Sequence, residues 1–484
     1  MKKLISLFLL CALLLLCACG AEGGSTGGDG EKITVITLNG TGASVKGGGA
    51  SVKDNVVTIK AVGTYSVTGE LTDGQLVVDT GEDAVDVTIL LENASVTNLS
   101  GPALHILQAK NVRLRLAEGS VNTLCSGTER PLGQVDESAS GGAIFAEDDL
   151  DIEGSGTLRV LGYLNNGITC KDDLDINSGT LEVVAVNNGI RASESLELKG
   201  GTVEVRCGND GLKTSSAAKE GKGFITLSGG ELNITCGGDG VAAETELRLE
   251  GGSVTVNAQG DPALGSSKGL KGKTGLVVSG GTAKVTAEDH ALHSDASLSI
   301  SGGELELSAN NGKGIDADGD VSLSGGSVRI QSSGDGISSP TAVLLSGGEL
   351  DIASRGDGVQ AGESGSGTGS ITLSGGEVQI CAMKKSLDAK GSLALTGGEL
   401  FALSGSEKQD GPTEGSDLPW LLCRLSGDAG QTVMVGESGR TLQAAFAYRN
   451  VLCAGGDLSA GETVTAYNDL RSLDAIVRSG AAAN

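Results

Sequence analysis

One polar residue recurs at a fixed place in this chain, just before a glycine and an aliphatic residue. The copies read Asn166-Gly167-Ile168, Asn188-Gly189-Ile190, Asp210-Gly211-Leu212, Asp239-Gly240-Val241, Asp335-Gly336-Ile337 and Asp357-Gly358-Val359. Degenerate copies read Asp261-Pro262-Ala263 and Asp289-His290-Ala291, and Lys313 and Lys385 share the phase further on. If equal phases stack, these residues form one column. A looser acidic column follows each corner, at Asp172, Glu194, Glu244, Asp295 and Asp318. Carboxylates stacked about 5 Å apart repel one another unless they are solvated or neutralised. Ca2+ fits as the neutraliser, because hard oxygen donors and turn carbonyls coexist at such corners. The densest cluster, Asp316-Ala317-Asp318-Gly319-Asp320, looks like half of a calcium loop without the later bidentate Glu. The expected Ca2+ ligands are therefore Asp210, Asp239, Asp289, Asp295, Asp316, Asp318, Asp335 and Asp357. The competing reading is that Asp and Asn fit tight turns by bonding to nearby backbone. That explains any single corner better than it explains two columns.

Other chemistry is thinner. His290 and His293 lie three apart around a corner, His105 is isolated, and no Cys or third His joins them at a usual zinc spacing. A transition-metal site is not expected. No phosphate loop, nucleophile elbow or Cys-His dyad stands out, because periodic Gly pairs account for the local matches.

The elements that must position these residues follow from the repeat. A Gly-containing turn, usually Ser-Gly-Gly, begins at 154, 179, 200, 229, 251, 280, 302, 325, 347, 375 and 397. The base step is 22 residues, and three steps carry six or seven more. The extra residues are expected after the corner, over 213–224, 264–275 and 359–370. The first two insertions are basic, with Lys213, Lys219 and Lys222, then Lys268, Lys271 and Lys273. Insertions into a solenoid collect on one face, often the binding face. Basic loops beside acidic corners suit a polyanionic sugar, although solvated Gly/Ser/Lys loops are also simply tolerated.

Between markers, apolar and polar residues alternate, as in Ile225-Thr226-Leu227-Ser228 and Leu232-Asn233-Ile234-Thr235. Period two means strand. Short strands, Gly corners and a 22-residue period predict an all-β chain, a parallel β-helix with one repeat per rung. Each rung buries Ile, Leu and Val against its neighbours. Roughly twelve rungs at about 4.8 Å each give a body on the order of 60 Å long. The expected organisation is a signal peptide at 1–18, a tether at 19–30, the helix with its N-terminal cap at 31–404, a linker at 405–419, and a small C-terminal β domain or cap at 420–484.

Composition agrees. The 484 residues include 80 Gly and only ten Phe, Trp or Tyr, so bulky aromatic filling is scarce. A formal charge of -26 argues against nucleic acid phosphates as partners and favours cations, or ligands held through cations. Lys2-Lys3 followed by apolar residues 4–18 reads as a secretory signal. Leu16-Cys17-Ala18-Cys19 resembles a bacterial lipobox, with Cys19 lipidated. That predicts a lipid-anchored protein, expected as a monomer, on the extracytoplasmic face of a cell membrane. Cys207 and Cys236 match in phase and should stack on adjacent rungs, and Cys423 and Cys453 are a candidate bridge.

The stretch from Phe224 to Val241 resembles the repeat of a bacterial carbohydrate-binding β-helix family first defined in a cellulolytic clostridium. The stretches His290 to Gly303 and Gly314 to Gly326 look like the same signature, and Pro419-Trp420-Leu421-Leu422 resembles that family's post-helix segment. The resemblance implies a right-handed, pectate-lyase-like parallel β-helix that binds calcium and associates with cellulose or pectin-like acidic polysaccharide. Asp261-Pro262 and Lys385-Ser386 depart from the usual Asp-Gly corner, and Trp420 and Tyr163 are too few for a broad stacking platform. Binding is the primary expectation. The alternative is a calcium-dependent polysaccharide lyase acting by β-elimination, in which Ca2+ acidifies the C5 proton of a uronate and a nearby Lys removes it. Lys213, Lys268 and Lys313 are the candidates for that base.

Overall fold

The computed structural model describes residues 33–480, apart from 82–84, 137, 140, 218, 264, 366, 414 and 437–439. The signal-like segment, Cys19 and the tether lie outside the described residues. No helix of the described residues is long and apolar enough to cross a membrane.

Alternation in the letters becomes alternation in burial. In Glu231–Cys236, Leu232, Ile234 and Cys236 are buried while Glu231 and Thr235 are exposed. Each repeat contributes strands to three parallel ladders. In one repeat these are Phe224–Leu227, Glu231–Cys236 and Val241–Ala243. Each pairs in register one repeat on, as in Leu227↔Leu249, Ile234↔Val256 and Val241↔Leu270. The first two ladders merge into a 26-stranded sheet, and the third forms a 15-stranded sheet. Like stacks on like: Leu198, Leu227, Leu249, Val278, Ile300, Leu323, Leu345, Leu373 and Leu395 form one continuous buried row. Each such side chain contributes about 1.5–3 kcal/mol of burial free energy.

Glycine has two separate duties here. The second Gly of the paired-glycine turns between the first two ladders is left-handed, with φ of +77° at Gly230 and +75° at Gly252. The corner Gly instead answers to crowding. A Cβ on Gly211 would lie 2.4 Å from the Gly240 carbonyl oxygen and 2.6 Å from Ile234 Cγ2.

Within the stack, antiparallel pairing among the described residues is confined to its two ends. Thr34–Gly40 pairs with Ala43–Lys46, and Ala50–Lys53 with Val56–Ile59. At the far end, Leu400–Ser404 pairs with Asn450–Ala454. These segments occupy edges that would otherwise present a row of unpaired backbone groups. Parallel pairing of Gly63–Leu71 with Asp86–Asn98 carries the stack well before residue 140, where the sequence markers fade. A separate four-stranded antiparallel sheet covers Thr432–Ile476. Trp420 lies in the core, 1% exposed, and donates its indole N–H to the Gly480 carbonyl at 3.0 Å. It is not a surface for stacking sugars.

Cys207 and Cys236 are direct register partners, as their phase requires. All seven described cysteines are free thiols and buried, including Cys423 and Cys453. Burial pushes the Cys236 thiol up to about 12 and Cys207 in the same direction.

Register corrects two phase assignments, those of Asp261 and Asp289. The Gly240 N–H donates to the Lys268 carbonyl at 2.8 Å, and the Gly269 N–H to the His290 carbonyl at 2.9 Å. The corners of these repeats are therefore Lys268-Gly269-Leu270 and His290-Ala291-Leu292. Asp261 lies in an exposed loop and Asp289 stands one residue before its corner. For Asp261 the physical reason is that the insertion at residues 259–267 precedes its corner, whereas residues 214–223 and 362–369 follow theirs. With Lys268 at the corner, the register pair Leu270↔Leu292 puts His290, not Asp289, at the next one. Insertions thus flank the third ladder on both sides.

Candidate functional site

The corner side chains are used by the backbone. The Asn188 N–H donates to Asn166 Oδ1 at 3.1 Å and the Asp210 N–H to Asn188 Oδ1 at 3.2 Å. The series continues from the Asp239 N–H to Asp210 Oδ1 at 2.9 Å, and from the Lys268 N–H to Asp239 Oδ1 at 2.7 Å. Further on, the Lys313 N–H donates to His290 Nδ1 at 3.0 Å, the Asp357 N–H to Asp335 Oδ1 at 2.7 Å, and the Lys385 N–H to Asp357 Oδ1 at 2.8 Å. Seven corner residues thus accept the N–H of the next one, which a buried turn would otherwise leave unpaired, and the series is interrupted after Lys268 and after Lys313. Four expected calcium ligands, Asp210, Asp239, Asp335 and Asp357, are members of this ladder. Burial, with repulsion from Asp210, raises the Asp239 carboxyl above its usual range despite bonds from Ser266 and Lys268. Burial and the charge of Asp335 do the same to Asp357.

Beside the corners runs a second column, the middle residue of each third-ladder strand. In register it reads Val77, His105, Phe145, Thr169, Arg191, Lys213, Ala242, Lys271, His293, Asp316, Ser338, Gln360 and Asp388. Backbone pairing leaves these side chains uncommitted, and their chemistry changes at every repeat. His105 stacks on Phe145 with ring centroids 5.1 Å apart, and Lys171 lies over the same Phe145 ring. Arg191 Nε is buried without a hydrogen-bond partner, so this guanidinium is incompletely satisfied.

Lysines neutralise much of the acid. Lys213 pairs with Asp210 at 2.6 Å, Lys268 with Asp289 at 2.7 Å, and Lys273 with Glu244 at 2.6 Å. Lys313 pairs with Asp316 at 2.7 Å and Lys385 with Asp388 at 2.9 Å. Lys213, Lys268 and Lys313 are the three residues expected as candidate bases. Each side-chain nitrogen is tied to a carboxylate rather than left free beside the face.

Two groups of possible metal donors form among the described residues, Asp149–Asp172–Asp173 and His290–His293–Asp316. In the first, Asp149 Oδ1 accepts the Asp173 N–H at 3.2 Å, and Ser195 Oγ donates to Asp173 Oδ1 at 2.6 Å. Lys222 reaches in from the inserted loop to Asp173 Oδ2 at 2.6 Å and to Glu194 Oε2 at 3.2 Å, and Lys219 also pairs with Glu194. Burial, then repulsion from Asp172 and Asp173, raises the Asp149 carboxyl. Sequence reasoning missed Asp149 and Asp173. The available signal was their shared phase, one residue before the register pair Leu150↔Leu174.

The second group gathers Asp289, Asp295 and Asp316 around the two histidines. His293 Nδ1 lies 3.1 Å from Asp316 Oδ2 and its Nε2 lies 2.8 Å from Asp295 Oδ1. His290 Nε2 lies 3.4 Å from Asp289 Oδ1 and 3.6 Å from Asp316 Oδ2. Burial lowers the His290 imidazole against the pull of Asp316 and Asp289, which keeps it neutral. Burial opposes ionisation of Asp316, yet bonds from His293 and Lys313 hold its carboxyl well below the usual range. The remaining expected ligand, Asp318, is exposed and stands apart from both groups.

Stacked parallel strands with one variable polar face define a class of elongated ligand-binding scaffolds. A family profile described as carbohydrate-binding domain-containing protein matches residues 53–312 and 303–458, and the chain belongs to that family. A protein of the same description from Acetivibrio thermocellus is 30% identical over 190 residues, which cover 38% of this chain and 65% of the relative. The match thus spans under two thirds of that relative's length. Among solved structures, a polysaccharide lyase-like protein from C. thermocellum, determined as a gadolinium derivative, matches with a TM-score of 0.38 and 21% identity. That match covers 66% of this chain and 99% of the other. The family and the relative are described by binding, in line with a non-catalytic protein.

Proposed function

We propose that this chain is a non-catalytic, lipid-anchored, extracytoplasmic protein that binds acidic polysaccharide with the help of Ca2+. In this reading the parallel stack is a right-handed β-helix closed by the C-terminal β unit, and Cys19 carries the lipid. The observation that carries the ligand class is the third-ladder face, where Arg191, Lys213 and Lys271 stand in one register with Arg191 Nε unpartnered. Spaced cations in a row suit the carboxylates of a polyuronate chain. The same alignment of basic side chains has no use for a neutral glycan.

Asp149, Asp172 and Asp173 are the preferred Ca2+ ligands. Their hard oxygens fit the ion, their mutual repulsion calls for a cation, and Lys222 already places positive charge against them. When bound, the ion supplies two further positive charges beside the face, and Lys222 is freed from Asp173 toward a sugar carboxylate. Lyase chemistry is disfavoured, because Lys213, Lys268 and Lys313 are all engaged as ion-paired ammonium groups.

The test is retention on polygalacturonate and on cellulose, with Ca2+ and with chelator. Retention on polygalacturonate that chelator weakens is expected. Retention on neither polymer would overturn the carbohydrate reading. Sustained release of unsaturated uronate, seen by ultraviolet absorbance, would overturn the non-catalytic one.

A further inference from the structure

We propose that His290, His293 and Asp316 form a binding site for a divalent transition metal of the zinc class, separate from any Ca2+ site. Three residues from two adjacent repeats converge, since His293 and Asp316 are register partners. One donor atom from each lies within 4.8 Å of the others. Tetrahedral zinc with bonds near 2.0–2.1 Å separates its ligand atoms by about 3.3 Å. The two contacts of Asp316 Oδ2, 3.1 Å to His293 Nδ1 and 3.6 Å to His290 Nε2, bracket that spacing. The imidazoles stack with centroids 5.4 Å apart and planes within 21°, so both edges face the same carboxylate.

The surrounding groups complete the arrangement. Asp295 stands 2.8 Å from His293 Nε2, where it accepts the proton left when Nδ1 binds an ion, the usual carboxylate support of a ligating histidine. Lys313 holds Asp316 Oδ1 at 2.7 Å and leaves Oδ2 for the ion. His290 Nδ1 accepts the Lys313 N–H at 3.0 Å, which places its proton on Nε2. Loading the ion moves that proton to Nδ1, and the Lys313 N–H gives up this acceptor. Losing one backbone bond is a small cost beside three metal bonds. Two nitrogens and one carboxylate oxygen are a poor match for Ca2+, which takes six to eight oxygens, and a good one for Zn2+ or Co2+. Three protein donors leave one tetrahedral position for water or an external oxygen.

The experiment uses the full chain without a histidine tag, stripped with chelator and titrated with Zn2+ in the presence of Ca2+. One zinc per chain is expected, with affinity lowered at least tenfold in His290→Gln and in His293→Ala. Asp295→Asn is expected to weaken binding roughly 10–100-fold, the range for lost carboxylate support. Asp172→Asn/Asp173→Asn is expected to leave it unchanged. Co2+ in the parent protein is expected to give the intense visible bands of a tetrahedral site, which requires no variant to fold. No zinc uptake by the parent, equal uptake by the His290→Gln/His293→Ala variant, or weak octahedral Co2+ bands would each overturn the proposal.

Discussion

The corner column and the face column run side by side through one stack, at the same period, and differ in what the backbone asks of them. Seven corner side chains, those of Asn166, Asn188, Asp210, Asp239, His290, Asp335 and Asp357, accept the N–H of the next corner, a duty that Asn, Asp and His can perform and that Lys268, Lys313 and Lys385 at the other corners cannot. A face side chain has no such duty, so His, Phe, Thr, Arg, Lys, Ala, Asp, Ser and Gln all occur there. Uniformity along a repeat therefore marks the position that structure uses. Variety marks the position left free for ligands.

The sharpest way to break this comparison is at a corner glycine. A Cβ on Gly336 would lie 2.4 Å from Ile352 Cγ2 and 2.5 Å from the Gly358 carbonyl oxygen. Gly336→Val is expected to cost about 3 kcal/mol through overpacking against backbone that cannot retreat. A thermal midpoint equal to the parent's would contradict the crowding account.

Asp239 tests the ladder itself. Asp239→Ala removes the acceptor for the Lys268 N–H and for Ser266 Oγ, at an expected cost of about 1–3 kcal/mol. Asp239→Asn keeps an acceptor, as Asn166 and Asn188 do in the same column. Burial raises the Asp239 carboxyl, so the folded state holds its proton to higher pH than the unfolded chain. Ionisation thus penalises folding above the raised value, and the penalty vanishes below the ordinary Asp range. Asp239→Asn should accordingly stabilise the protein near neutral pH, with the gain shrinking as pH falls through that window. Denaturation midpoints across pH give the answer, and an Asn variant as damaged as the Ala variant would point to a bound cation at this corner.

The face should behave in the opposite manner. Lys271→Ala removes a side chain 21% exposed whose nearest carboxylate, on Asp295, lies 3.9 Å away. It is expected to change stability by no more than about 1 kcal/mol, the scale of exposed ion pairs, while weakening polyuronate binding.

The strands, the period and the inward ladders were legible in the sequence, because period-two alternation fixes which side chains face inward. Leu227 and Ile234 are buried for that reason alone. The duty of the corner was not legible. An Asp that accepts a backbone N–H and an Asp that holds a cation are the same letter, and only the stacking distance tells them apart. The phase of Lys268 was hidden because an insertion can precede or follow a corner without changing the step between Gly pairs. The meeting of His290 and His293 with Asp316 was hidden by sequence separation, since the third donor arrives from the next repeat.

The most direct test of the division between structural corner and binding face pairs two proteins in one assay. Arg191→Gln/Lys213→Gln/Lys271→Gln and Asp239→Asn are each titrated with polygalacturonate in the presence of Ca2+, with folding checked by circular dichroism. The account predicts that the triple face variant stays folded and loses at least tenfold in affinity, while the corner variant binds like the parent. A face variant that binds normally beside a corner variant that does not would contradict it.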